Sequence, residues 1–291
     1  EGEGWVEVFA IGYRTAAGLA FARAGLAPAL AILDRGDGVA RDRALPRLSA
    51  LLLGMRIDLL RRAGQVAAAR ALVDASGFAI DGAHCVRSGL IQRLEAVETG
   101  LTLASLALAE GRADRALDLL VPLEVPARAG GFDRGVARLL LLRALALAAL
   151  DRLAEAVPDL RQLLSLTREE GARQLFVDQG APVIGLLRQL VAQVGAAGLA
   201  RANLDWIADL LVALGDHDGA GERSLPALLL TPREREILQA LAGGGSNKII
   251  ARRLDMTDNA VKFHLKNIFR KLGANDRKLA LAIAERQGLL G

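Results

Sequence analysis

Residues 246–272 read SNKIIARRLDMTDNAVKFHLKNIFRKL, and this stretch decides the fold of the C-terminal part of the chain. The pattern predicts a short helix, a tight turn at Asp255-Met256, and a longer helix from Asp258 to Leu272 that Thr257 caps. Lys262 and Lys266 lie on one side of the longer helix. Such a helix-turn-helix places its second helix in the major groove of duplex DNA, so the stretch predicts a DNA-binding element.

The residues before this stretch predict another helix. Thr231 can cap it, with Pro232 at its first position and Glu234 three residues after the cap, which forms a capping box. We expect this helix to run from Pro232 to Ala242 and to end at three consecutive glycines, which tolerate a left-handed C-cap. Ser246 is then expected to cap the second helix, whose apolar residues at helical spacing are Ile249, Ile250 and Leu254.

The longer helix is predicted to have two different faces. Its apolar stripe consists of Val261, Leu265, Ile268 and Leu272, spaced by four, three and four residues. Its basic stripe consists of Lys262, Lys266 and Arg270, with Asn259 and Phe263 beside it. A fourth helix, Asp276 to Gln287, is expected to close the domain with four inward side chains, Leu279, Ala280, Ile283 and Ala284.

The net positive charge of the chain is confined to this end. The five lysines all lie after residue 247, and residues 231–291 contain 12 Lys+Arg against 6 Asp+Glu. The rest of the chain contains 25 arginines against 27 acids, although the chain as a whole has a formal charge of +4. This local excess is expected of a domain that binds DNA, whereas a basic face exposed on an ordinary bundle is the alternative.

The whole chain of 291 residues is predicted to be all-α with about two domains. Hydrophobic residues make up 52% and aromatic residues 3%, which favours closely packed helices rich in Ala and Leu. A single cysteine, Cys85, excludes an internal disulfide and favours a reducing compartment, the cytoplasm. No apolar run reaches the length of a membrane span and no signal peptide is recognisable, so no membrane partner is expected. The first residues already resemble an amphipathic helix, so we expect the sequence to belong to a longer chain.

Residues 1–214 are predicted to form paired helices. A turn followed about five positions later by a small residue recurs at intervals of 39, 47 and 40 residues. Its instances are Ala24-Gly25, Ala63-Gly64, Glu110-Gly111 and Leu150-Asp151. A period near 40 predicts a tetratricopeptide-like α-solenoid, whose concave surface is the usual place for a ligand or partner to bind. The polar, glycine-rich segment 215–228 is predicted to be a flexible linker, and residues 229–291 form the four-helix DNA-binding domain.

Three phrases, LTPREREIL, SNKxIAxxL and NAVKFHLKNIFRKLG, resemble the DNA-binding domain of LuxR-type transcriptional regulators over the last 62 residues. The family commonly has a T-V-K triplet where this chain has Ala260-Val261-Lys262, and a small or polar residue in place of Phe263. The helical repeats resemble the sensor domain of the large MalT-like regulators. This resemblance implies that a nucleotide-binding ATPase domain precedes the repeats in the full-length protein and lies outside this sequence.

The exposed side of the longer helix supplies the candidate DNA contacts. Lys262, Phe263 and Lys266 are expected to meet base edges, which the resemblance also implies. Five residues are expected to contact phosphates, namely Lys248, Thr257, Asn267, Arg270 and Lys271. The alternative for Phe263 is an inward core position. His264 is expected to contact either a phosphate or the core of its own domain.

The sequence contains no pattern that predicts an enzyme, a cofactor site or a metal site. The first 247 residues lack lysine, which excludes a Walker-type phosphate loop and a Schiff-base lysine from them. His84 and Cys85 are adjacent and diverge by about 100° on a helix, so they do not form a nucleophile and base. His217 in the linker and Glu169-Glu170 are interpreted as solvated polar residues.

The leading hypothesis is therefore a regulator whose C-terminal domain binds double-stranded DNA while the helical repeats sense an inducer or a protein. The resemblance to LuxR-type regulators implies a dimer on two half-sites, with the fourth helix as the contact. The alternative is a helical-repeat scaffold whose C-terminal helices contact RNA polymerase or another protein instead of DNA.

Overall fold

The structure of the chain is a computed structural model that describes residues 5–77, 90–129, 133–195, 198–215, 230–272, 274–286 and 289–290. The secondary structure of these residues is entirely helical, which confirms the predicted all-α class. The chain divides into two compact units, residues 1–159 and residues 160–291. Most of the predicted linker, and the pair His84-Cys85 with His217, lie outside the described residues.

The first unit consists of a succession of helices. Their bounds are α1 Val6–Ala24, α2 Leu26–Asp42, α3 Pro46–Arg62, α4 Val66–Ser76, α5 Leu90–Ala109, α6 Ala113–Leu120, α7 Glu124–Ala129, α8 Asp133–Ala149 and α9 Leu153–Glu170, of which α9 continues into the second unit. The first helices of successive pairs, α1, α3, α5 and α8, pack side by side. This layer of neighbouring pairs is the arrangement of an α-solenoid.

Three of the predicted turns have the same backbone geometry. Gly64, Gly111 and Asp151 adopt φ values of 76°, 73° and 57°, each in the left-handed region. The amide of the next residue then donates to the carbonyl five positions back, as a Schellman motif does, and the pairs are Gln65 with Leu60, Arg112 with Ala107, and Arg152 with Leu147. The first predicted turn differs, because Gly25 alone connects α1 to α2.

The second unit begins within α9 and adds α10 Gln174–Val177, α11 Ala181–Val194 and α12 Arg201–Ala213 before the C-terminal helices. Helix α10 is anchored by Phe176, whose ring is completely buried. In addition, the indole nitrogen of Trp206 on α12 donates to Thr167 Oγ1 on α9 over 3.1 Å. This hydrogen bond fixes α12 against the C-terminal half of α9.

The C-terminal helices are α13 Pro232–Ala242, α14 Asn247–Arg253, α15 Asp258–Leu272 and α16 Arg277–Arg286. Their apolar residues form one core, which includes Ile237, Leu241, Ile250, Val261 and Ala284. The predicted four-helix helix-turn-helix fold is therefore present, and α15 is called the recognition helix below.

Candidate nucleic-acid interface

The start of α13 is fixed by a complete capping box. The Glu234 amide donates to Thr231 Oγ1 over 3.2 Å, and the Thr231 amide donates to Glu234 Oε2 over 2.8 Å. Pro232 occupies the first turn, as predicted. The helix ends before Gly244, whose φ of 83° explains why a glycine stands there.

The two helices of the helix-turn-helix are joined by a tight left-handed turn. Asp255 adopts a φ of 52°, and the Met256 amide donates to the Ala251 carbonyl over 2.8 Å. Thr257 then caps the recognition helix, because its Oγ1 accepts from the Ala260 amide over 3.2 Å. Ser246 holds the N-cap position of α14 without a side-chain hydrogen bond to that helix.

The inner face of the recognition helix matches the predicted apolar stripe. Val261 and Ile268 are completely buried, and Leu265 and Leu272 are 7% and 5% exposed. These side chains pack against α13, α14 and α16. The stripe therefore anchors the helix from behind and leaves its opposite side to solvent.

The outer face carries the three predicted base-contacting residues. Lys262 and Lys266 are exposed, and Phe263 is 64% exposed, which excludes the alternative of an inward core position. Lys262 forms an ion pair of 2.9 Å with Asp258 one turn earlier. Such a surface pair contributes only about 0.3–0.5 kcal/mol, so Lys262 can exchange it for another anion. The Phe263 ring lies edge-on to half-buried His264, with centroids 5.8 Å apart.

The predicted phosphate-contacting residues fall into three environments. Lys248 and Thr257 are exposed, and Asn267 is half-buried. Arg270 is also exposed, but its guanidinium already pairs with Asp205 and Asp209 of α12. Lys271 is the fifth, and its side chain has no solvent-exposed surface.

The prediction that Lys271 contacts a phosphate is therefore wrong. Its ammonium lies 2.8 Å from Glu234 Oε2, and both side chains are completely buried. Asp205 Oδ1 lies 3.9 Å from the same ammonium. Lys271 follows Arg270 in sequence, but its side chain turns about 100° further around the helix and enters the core.

A basic surface on α14 was not predicted. Lys248, Ile249, Arg252 and Arg253 line a shallow cleft, and Ile249 is 60% exposed. Only Ile250 of the predicted apolar set is fully buried, whereas Leu254 is half-buried. The adjacent arginines at 252 and 253 were the available sequence signal for this surface.

The fourth helix, α16, closes the domain with three of its four predicted side chains. Ala280 and Ala284 are buried, and Ile283 is partly buried against the same core. Leu279 is instead 41% exposed and points outward, which corrects its predicted position. Asp276 Oδ1 accepts from the Leu279 amide over 2.8 Å and caps this helix.

The described residues contain no group of three or more His, Cys, Asp or Glu side chains arranged to hold a metal ion. None of the helices that the structure describes is long and apolar enough to cross a membrane. Glu169 is largely exposed, with 73% of its side chain open to solvent.

Comparison with known proteins agrees with the geometry of the C-terminal helices. Residues 3–193 match the family described as MalT-like TPR region, and residues 228–284 match the bacterial regulatory proteins of the luxR family. No solved structure is significantly similar to the chain.

Individual relatives match shorter segments. A probable transcriptional regulatory protein, SgaR, of Hyphomicrobium methylovorum is 50% identical over 58 residues, which are 20% of this chain and 28% of the relative. The nitrate/nitrite response regulator NarL of Escherichia coli K12 is 52% identical over 48 residues, 16% of this chain and 22% of the relative. The HTH-type transcriptional regulator MalT of Vibrio campbellii is 28% identical over 144 residues, 43% of this chain and 16% of the relative. The chain therefore spans less than a third of the length of each of these proteins.

Proposed function

The chain belongs to the MalT-like, LuxR-type regulators, and from this premise we propose that its C-terminal domain binds duplex DNA in the major groove. The observation that carries the proposal is the two-sided recognition helix. Val261, Leu265 and Ile268 hold it from behind, while Lys262, Phe263 and Lys266 stand exposed in front. A helix that is anchored by one face and cationic on the other suits insertion into a polyanionic groove.

The proposal assigns a specific role to each predicted contact residue except Lys271. Lys262 and Lys266 donate to O6 and N7 of guanine, and Phe263 packs against the methyl group of thymine. Lys248, Thr257 and Asn267 contact phosphates and set the register of the helix. Arg270 joins them when it leaves the carboxylates of α12.

The proposal is tested by selecting bound sequences from a random duplex pool with residues 1–291. Major-groove recognition is supported if a defined motif is enriched and if Lys262→Ala reduces the base preference at one base pair of that motif. The matched control is Lys278→Ala, which removes an exposed lysine of α16 from outside the proposed interface. Absence of binding at low salt, where phosphate contacts are strongest, would reject DNA as the partner.

The bound form is proposed to be a dimer on two half-sites, with α16 as the contact. Leu279 supports this choice, because an apolar side chain that is 41% exposed suits burial against a second copy. Sedimentation of the chain with and without duplex DNA tests it. A monomer under both conditions would reject the dimer.

The helical-repeat region is proposed to sense an inducer or a protein partner. The layer of α1, α3, α5 and α8 supports this role, because part-buried ion pairs run across it. Arg47 pairs with Glu7 and Glu95, and Glu98 pairs with Arg138 over 3.1 Å. A polar ligand that replaces one of these carboxylates would change the packing of neighbouring helices. Its test is a search for small anions that raise the melting temperature of the chain but not that of the Arg47→Ala variant.

A second candidate function is contact with RNA polymerase or another protein through the C-terminal helices. The cleft on α14 favours it, because Ile249 is exposed between Lys248 and Arg252. An apolar residue ringed by cations suits an acidic protein surface. Ile249→Ser separates the two candidates, since it should weaken such a protein contact and leave DNA affinity unchanged.

A further inference from the structure

Two carboxylates of α12 pair with the basic end of the recognition helix. Arg270 Nη1 lies 3.3 Å from Asp209 Oδ1, and Arg270 Nη2 lies 3.6 Å from Asp205 Oδ1. Asp205 Oδ1 also lies 3.9 Å from the ammonium of Lys271. All four residues belong to the second compact unit, residues 160–291. Helix α12 therefore contacts the recognition helix through charge.

Asp209 is held in place by a second cation of the same unit. Asp209 Oδ2 lies 3.6 Å from Arg173 Nη2, and the guanidinium of Arg173 lies 5.5 Å from the centre of the Trp206 ring. Trp206 is in turn buried and hydrogen-bonded to Thr167. A carboxylate that is positioned in advance loses little side-chain freedom when it pairs, so this contact is stronger than one between two mobile side chains.

Arg270 is the residue for which α12 and DNA would compete. It lies one helical turn after Lys266, on the basic side of the recognition helix, and its side chain remains 42% exposed. Carboxylate and phosphate oxygens bind a guanidinium in the same way. One guanidinium cannot satisfy the carboxylates of α12 and a phosphate of the DNA backbone at full strength together.

We propose that Asp205 and Asp209 form an autoinhibitory clamp that occupies Arg270 until DNA displaces it. This inference rests on the proposed DNA-binding function. Because the two events are coupled, an effector that moves α12 changes DNA affinity, and DNA binding loosens α12 by the same factor. The closest partner of Lys271 is Glu234 of α13 and not a residue of α12, so we expect the recognition helix to stay folded when the clamp opens.

The test measures binding of residues 1–291 to mixed-sequence duplex DNA at low salt for four variants. Asp205→Asn/Asp209→Asn opens the clamp with side chains of the same shape, and we expect about threefold to tenfold tighter binding. The matched control, Glu169→Gln/Glu170→Gln, removes two negative charges of α9 in the same unit and leaves both carboxylates that pair with Arg270 in place. Adding Arg270→Ala to the open-clamp variant should abolish the gain in DNA affinity. In the wild-type background, Arg270→Ala should lower DNA affinity by less than it does in the open-clamp variant. If the double variant unfolds, the single variant Asp209→Asn is used in its place, because it removes the shorter of the two contacts to Arg270.

The outcomes separate the clamp from the proposed function. The clamp is supported if the open-clamp variant gains more DNA affinity than the control variant and loses this gain when Arg270→Ala is added. If the wild type binds and the open-clamp variant binds no better than the control, the clamp is wrong while DNA binding stands. A gain that persists without Arg270 also overturns the clamp, because the acids then act only through overall charge. If no variant binds DNA, the proposed function itself fails.

Discussion

The ammonium of Lys271 and the carboxylate of Glu234 lie 2.8 Å apart, and neither side chain is exposed to solvent. Glu234 is also the capping-box residue of α13, so this ion pair joins the beginning of the domain to the end of the recognition helix. A fully buried ion pair adds modest net stability, but removal of one of its two side chains leaves the other charge buried without a partner. The orientation of the recognition helix therefore depends on a contact far from its exposed face.

The first prediction concerns this pair. Lys271→Ala should lower the free energy of unfolding by about 3–5 kcal/mol, because Glu234 remains buried without its cation. Urea denaturation followed by circular dichroism measures the change. Lys278→Ala, which removes an exposed lysine, is the control and should change stability by less than about 0.5 kcal/mol. Equal stability of the two variants would contradict the structural role of Lys271.

The second prediction separates two exposed lysines. Lys262→Ala should cost roughly 1–3 kcal/mol of DNA binding and relax the preference at one base pair, because it removes a base contact. Lys248→Ala should weaken binding to all sequences evenly and lower the salt slope by about one, because it removes a phosphate contact. Titrations at several salt concentrations distinguish them. Equal losses without a change in base preference would refute this division of roles.

The third prediction concerns Phe263. Since its side chain is 64% exposed, Phe263→Ala should change the free energy of unfolding by no more than about 0.5 kcal/mol. The same variant should lose discrimination between thymine and cytosine at the position that the ring contacts. Val261→Ala is the neighbouring control, because this completely buried side chain should instead destabilise the fold by about 1–3 kcal/mol. A large loss of stability in Phe263→Ala would place the ring in the core.

The fourth prediction addresses the turns of the repeats. Gly111 adopts a φ of 73°, so Gly111→Ala should destabilise the first unit by about 1 kcal/mol, because a Cβ is strained in that conformation. Gly12 lies inside α1, and a Cβ added there would meet open space. Gly12→Ala should therefore stabilise the unit by about 0.5–1 kcal/mol. Thermal denaturation should show a lower melting temperature for Gly111→Ala and a higher one for Gly12→Ala. A shift in the same direction for both variants would contradict the backbone geometry assigned to these glycines.

The fifth prediction is a dependence on pH. The pKa of Glu110 is held below its ordinary value of 4.5, chiefly by the hydrogen bonds from Arg70. Because its pKa is lower in the folded state, the carboxylate stabilises the fold above about pH 4.5, and this stability is lost as pH falls through the folded pKa. Glu110→Gln should thus be less stable than wild type at pH 7, with a difference that shrinks in acid. Glu155→Gln, in an exposed pair with Arg152, should show a much smaller difference at pH 7.

Much of the fold could be predicted because its signals are local. The capping residues Thr231 and Thr257 fix where helices begin, and the bounds predicted for α13 and α15 agree with the structure. The spacing of Val261, Leu265 and Ile268 fixes which side of the recognition helix is buried. These features depend on residues within one or two helical turns of each other, so they can be predicted from the local sequence.

The tertiary structure alone decided which charges remain available at the candidate site. Lys271 enters the core because Glu234, 37 residues earlier, lies opposite it, and Arg270 meets Asp209 across 61 residues of chain. Helical periodicity gives the direction of a side chain around its own axis, but it does not give the angle at which two helices pack. The sequence by itself therefore determined a recognition helix with one apolar and one basic face, whereas packing determined that two of its cations are held by carboxylates of other helices.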